Sequence, residues 1–80
     1  MTGWQPVSVH EAQILERELA RELPEGHALK QIEVRVVARR LDRDDVACEL
    51  GDGRLCVVHL TWNVETDPRW PRSEVVSVLP

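Results

Sequence analysis

Residues Asp44 to Asn63 (D-D-V-A-C-E-L-G-D-G-R-L-C-V-V-H-L-T-W-N) hold two alternating apolar runs split by Gly51-Asp52-Gly53. Two such runs around a glycine-rich break predict a β-hairpin. The loop length then fixes the register. A two-residue loop pairs Leu50 with Leu55 and mixes polar and apolar side chains on both faces. A three-residue loop, Gly51 to Gly53, pairs Leu50 with Arg54 and Cys48 with Cys56. One face then collects Val46, Cys48, Leu50, Cys56, Val58, Leu60 and Trp62, while Asp45, Ala47, Glu49, Leu55, Val57, His59, Thr61 and Asn63 take the other. Side chains alternate with period two, so burial favours the cleaner split, and Gly53 suits the left-handed position of such a loop.

A second alternating run precedes the hairpin. Ile32, Val34, Val36 and Ala38 fall on one side and Glu33, Arg35, Val37 and Arg39 on the other, rich in the β-branched residues that favour strands. A turn through Leu41, Asp42 and Arg43 sets Ala38 opposite Val46 and Val36 opposite Cys48. Three strands, about 30–40, 44–50 and 54–63, thus form an antiparallel meander with one apolar side. That side needs a cover. Ser8-Val9-His10-Glu11 has the form of a capping box, and Ala12, Leu15, Leu19 and Leu23 recur at helical spacing, widened by Ile14 and Ala20. Glu16, Arg17, Glu18, Arg21 and Glu22 occupy its polar side, and Pro24 and Gly26 end it. The expected fold is α+β, with an N-terminal helix (about 9–23) on a three- to four-stranded meander. Met1 to Val7 reads as an irregular lead-in. Residues 64–80 read as an irregular tail with a candidate short edge strand at 74–79.

Eighty residues make one small domain, and 42 % hydrophobic with 30 % charged residues is ordinary for a folded soluble chain. No run approaches the roughly 18 apolar residues of a membrane span, and M-T-G-W-Q-P lacks the features of a secretory leader. A cytoplasmic protein with no membrane partner is expected, and nine Arg against a single Lys hint at a bacterial, GC-rich source. A net charge of −4, with Asp42, Asp44 and Asp45 interleaved among Arg35, Arg39, Arg40 and Arg43, argues against nucleic acid.

The predicted registers align Arg39, Asp45 and His59 in one row on the uncovered face, with Thr61 next along. An aspartate can orient an imidazole as a general base and an arginine can hold an anion. The plain alternative is a solvated cross-strand charge row. No nucleophile stands beside it, so no catalytic residue is assigned. Cys48 and Cys56 face each other, but a lone C-x7-C pair is not a zinc pattern, and both read as small buried hydrophobes. No metal site or cofactor is expected. His10 and His27 read as surface residues.

The outer face also carries Val37, Ala47, Leu55 and Val57, an apolar strip of the kind that marks association sites. A homodimer through this strip, or the tail folded over it, accounts for it. Trp62 belongs to the core face. Trp4 and Trp70, beside prolines, read either as an interface patch or as caps on a small core.

Asp44-Asp45-Val46, Leu50 and the string Val58-His59-Leu60-Thr61-Trp62, with Glu65, Pro71 and the earlier Val37-Ala38-Arg39-Arg40, resemble a family of short uncharacterised bacterial proteins, over about Leu29 to Pro71. The resemblance supports the strand assignments and implies no activity. Two functions are therefore in play: a small protein-interaction module without catalysis, or a small-molecule- or metal-binding protein, or minor enzyme, centred on Arg39, Asp45, His59 and Thr61.

Overall fold

The computed structural model describes residues 3–40 and 42–80; Met1 and Thr2 of the expected lead-in and Leu41 of the expected turn lie outside them. The elements run β1 (Trp4–Pro6), α1 (Val9–Glu22), β2 (Val34–Arg40), β3 (Asp45–Leu50), β4 (Leu55–His59) and β5 (Arg72–Val76). The strands form one antiparallel sheet in the order β1-β2-β3-β4-β5, with the helix packed on one face. The α+β architecture matches expectation, but the sheet has five strands. One edge, β1, comes from the lead-in read as irregular; the other, β5, is the candidate edge strand expected at 74–79, found at Arg72–Val76.

The hairpin has the three-residue loop. Leu50 N–H donates to the Arg54 carbonyl (2.8 Å), Cys48 sits opposite Cys56, and Gly53 takes φ +90°. Ser8 caps α1 by accepting from Glu11 N–H at 3.1 Å. Leu15, Leu19 and Leu23 from the helix side meet Val36, Val46, Cys48, Leu50, Cys56, Val58 and Leu60 from the sheet. Ile14 is exposed, so the helix's apolar stripe is narrower than the spacing implied.

The register between β2 and β3 departs from expectation. Val36 does face Cys48, but Ala38 pairs with Ala47 and Arg39 with Val46, because Val37 is an extra, bulged residue. Val36 packs into the helix-side core, whereas Val37 and Ala38 both turn to the outer face. The backbone beside the irregularity finds partners elsewhere: Val36 N–H donates to Glu16 Oε2 (3.0 Å), and the Val37 carbonyl accepts from Val7 N–H (3.3 Å). A bulge exchanges the faces of everything beyond it. Arg39 therefore points to the helix side and Arg40 to the outer side.

That exchange explains how the outer face is closed. Trp4, 5 % exposed, lies on a floor of Ala38 and Ala47, with Val37, Val57 and Leu79 packed around them. Two adjacent alanines leave room for an indole. Its Nε1–H donates to the main-chain oxygen of Pro80 (2.9 Å), and the Arg40 guanidinium stacks 4.9 Å from the ring centroid. Val37 and Ala47 of the apolar strip are thus packed against Trp4, while Val57 stays half-buried at the margin of that cover. No described helix is long and apolar enough to cross a membrane.

Candidate functional site

Beside the Trp4 cluster, one row of side chains crosses all five strands on the outer face. Trp4 pairs with Arg40, Asp45 with His59, and His59 with Arg72, while Arg40 and Asp45 meet through their side chains. The Asp45 side chain is 11 % exposed. Its Oδ2 lies 3.5 Å from Arg40 Nη1, a charge contact at the limit of hydrogen bonding. Its Oδ1 lies 2.6 Å from His59 Nδ1. A carboxylate only accepts, so Nδ1 carries the hydrogen and donates. This fixes the imidazole and turns Nε2 away from Asp45, on a side chain 56 % exposed.

The row forms part of the floor of a groove of ≈ 440 Å³. Arg43, Val57, Trp70, Ser73, Glu74, Val76 and Pro80 complete its lining. Arg40 is engaged three times, by Asp45, by the Pro80 oxygen (3.2 Å) and by the Trp4 ring. Arg43 and Arg72 make no ion pair among the described residues.

The structure brings together only part of the expected constellation. Asp45 and His59 meet as the hairpin register requires. Arg39 does not join them: shifted by the bulge, it pairs with Glu11 at 2.9 Å on the helix side, and Arg40 takes its place. Thr61 is also elsewhere, because β4 ends at His59 and the chain turns toward the helix. Trp70 lines the groove, whereas Trp4 is buried. Leu55 is half-buried, opposite Val76. The sequence marks Arg40 and Arg43 only as members of an arginine stripe interleaved with aspartates, and it gives no sign of Arg72. The adjacent Arg39-Arg40 pair was the one available signal, since a one-residue slip decides which of them faces Asp45.

A second polar constellation lies at the other end of the molecule. Glu22, assigned to the polar side of the helix, is fully buried. Its Oε1 accepts from Thr61 N–H (2.9 Å) and Thr61 Oγ1 (3.2 Å), and its Oε2 from Trp62 N–H (2.8 Å). Burial and the neighbouring Glu18 push its carboxyl above the ordinary range, against the pull of the two amides. The clamp holds Trp62 at φ +60° with the residue 47 % exposed, so Trp62 is not a core residue. A non-glycine residue in that region is strained unless its surroundings hold it there.

Cys48 and Cys56 are buried free thiols, and burial pushes Cys48 up to about 12. A thiol kept protonated in this way is a poor nucleophile. His27, read as a surface residue, is buried: Nδ1 accepts from Leu29 N–H (3.0 Å) and Nε2 donates to the Pro71 carbonyl (2.7 Å). Both nitrogens are spent on pinning the segment before β5 to the segment after α1. Among the described residues no group of three or more His, Cys, Asp or Glu is placed to hold a metal ion.

Comparison with family models, with curated proteins and with solved structures gave no match. Function is therefore argued from the groove's own chemistry.

Proposed function

We propose that this protein binds a small molecule in the outer-face groove and does not transform it. The observation that carries this reading is the Asp45–His59 contact at 2.6 Å, which presents an oriented imidazole inside a concave site. At ≈ 440 Å³ the groove falls within the range of small-molecule pockets, and it mixes apolar walls with a few convergent polar groups, as such pockets do. Asp45 is the one hydrogen-bonding partner of the His59 ring among the described residues, so no hydroxyl or thiol is bonded to that ring for activation. Binding is favoured over catalysis on that ground. Much of the valine strip that suggests association packs against Trp4 and Leu79, and Val57 opens onto the groove instead, which weakens the support for an interface.

An amide-resolved NMR screen of small anionic, cationic and neutral fragments tests the reading. Binders are expected to shift His59, Val57 and Trp70 together, and to lose most of their affinity in His59→Ala. Binders that map to another surface would overturn it. A second reading, a protein-interaction module, is favoured by Trp62, whose exposed ring sits on a clamped backbone. Its mark would be assembly or partner capture abolished by Trp62→Ala and indifferent to His59→Ala.

A further inference from the structure

The groove carries positive charge that no ion pair takes up among the described residues. Of its three arginines, Arg40 is committed to Asp45, Pro80 and Trp4, leaving Arg43 and Arg72 without ion pairs among the described residues. They come from different elements, Arg43 from the β2–β3 connection and Arg72 from the start of β5, and both border the groove that His59 floors. Resting on the small-molecule reading above, we propose that the ligand is a phosphate monoester with one anionic head and an apolar body.

The head follows from the set of donors that line the groove. A single guanidinium fork satisfies a planar carboxylate. Two forks and an imidazole from separate elements suit a tetrahedral group with three terminal oxygens. The Nε2 of His59, turned away from Asp45, is left to meet the head: a neutral ring accepts there from a P–OH and a charged ring donates to a terminal oxygen, so a phosphoryl group suits either form. The body follows from the next rows of the sheet. Val57 lies one position beyond His59 on the same face, and Val76, opposite Leu55, one further still, with Trp70 at the rim. Glu74, opposite Val57, repels a second anion and so limits the ligand to a single charged end.

Phenyl phosphate is the probe, titrated into the full chain by amide-resolved NMR beside inorganic phosphate, benzoate and benzyl alcohol. Phenyl phosphate is expected to shift His59, Val57 and Trp70 saturably, and to bind at least about tenfold more tightly than each of the other three. Arg43→Gln/Arg72→Gln, two surface changes whose unchanged amide spectrum certifies the fold, is expected to weaken it by about tenfold or more. Benzoate binding as tightly as phenyl phosphate, or a double variant of undiminished affinity, overturns the phosphoryl head. Inorganic phosphate of equal affinity overturns the apolar body. Groove shifts from benzoate or benzyl alcohol alone overturn the ligand class and leave a binding groove. Silence from all four probes overturns both.

Discussion

The two faces of the sheet are closed by different means. On one, a fourteen-residue helix lays leucines over Val, Leu and Cys side chains whose alternation is regular along β3 and β4. On the other, a single indole and the last residues of the chain cover two alanines and two valines, and the rest is left to a charged row. The first face is apolar through its centre, and its polar groups, such as Arg39 paired with Glu11, stand at the margins. The second is half core and half site. In a domain this small, where little surface can be buried, the uncovered half of a sheet is where polar groups can be oriented without giving up the core.

The largest test of that comparison is whether the outer cover matters as much as the helix. Leu19→Ala, in the helix-side core, is expected to lose about 2–5 kcal/mol, and Trp4→Ala about 3–5 kcal/mol, by urea unfolding. Trp4→Ala also frees the Arg40 stack and the Pro80 oxygen and uncovers Leu79, so the Leu79 methyl resonances should move toward their random-coil positions in NMR. A Trp4→Ala variant within about 0.5 kcal/mol of wild type would show the outer cover to be ornamental and the site unsupported.

The same contrast separates what the sequence reveals from what it hides. Cys48 opposite Cys56, and the burial of Val46, Val58 and Leu60, follow from parity and a glycine loop, both local. Asp45 beside His59 follows with them. The bulge at Val37 does not, because its backbone partners are Glu16 on the helix and Val7 beyond β1, neither of them near in sequence. Arg40 was therefore out of reach while Arg39 stood in its place. Trp62 was assigned to the core because the alternating pattern runs past His59; what ends the strand there is a buried carboxylate from the helix. A glutamate in the polar part of a helical repeat gives no sign that it will be buried. Trp4 hides for the opposite reason, since a single aromatic before a proline has no period to be read.

The second test concerns that carboxylate and its pH dependence. The carboxyl of Glu22 is raised above its ordinary value near 4.5. A group whose value is higher folded than unfolded adds stability that is fully present below the unfolded value and is lost as pH rises through the folded one. Stability carried by Glu22 should therefore fall as the solution is brought upward from about pH 4.5. Glu18, lowered chiefly by Arg21, works the other way and loses its contribution on acidification. The difference between wild type and Glu22→Gln isolates the first effect: plotted against pH, it should decline through the range just above 4.5. A flat difference would mean that the amides of Thr61 and Trp62 compensate the burial in full. His59 in the outer row should keep its contact with Asp45 in this variant, because the two constellations share no residue.

The smallest effects discriminate most sharply, because they set neighbouring arginines against each other. Arg40 loses a stack on Trp4, a contact with Asp45 and one with Pro80 when truncated, from a side chain 18 % exposed. Arg40→Ala is expected to lose about 1–2 kcal/mol and to loosen the Asp45–His59 contact, read as a shift of the His59 ring protons. Arg39 holds only Glu11, with side chains 37 % and 40 % exposed. Pairs of that kind contribute about 0.5 kcal/mol or less and are screened by salt. Arg39→Ala should therefore barely move the urea midpoint and leave the His59 resonances in place. Equal losses would mean that solvent levels the two sides of β2. The reverse order, with Arg39→Ala disturbing His59, would mean that β2 pairs with β3 without the bulge and that Arg39 stands beside Asp45. One residue of register thus decides which arginine belongs to the site, and two alanine variants read it out.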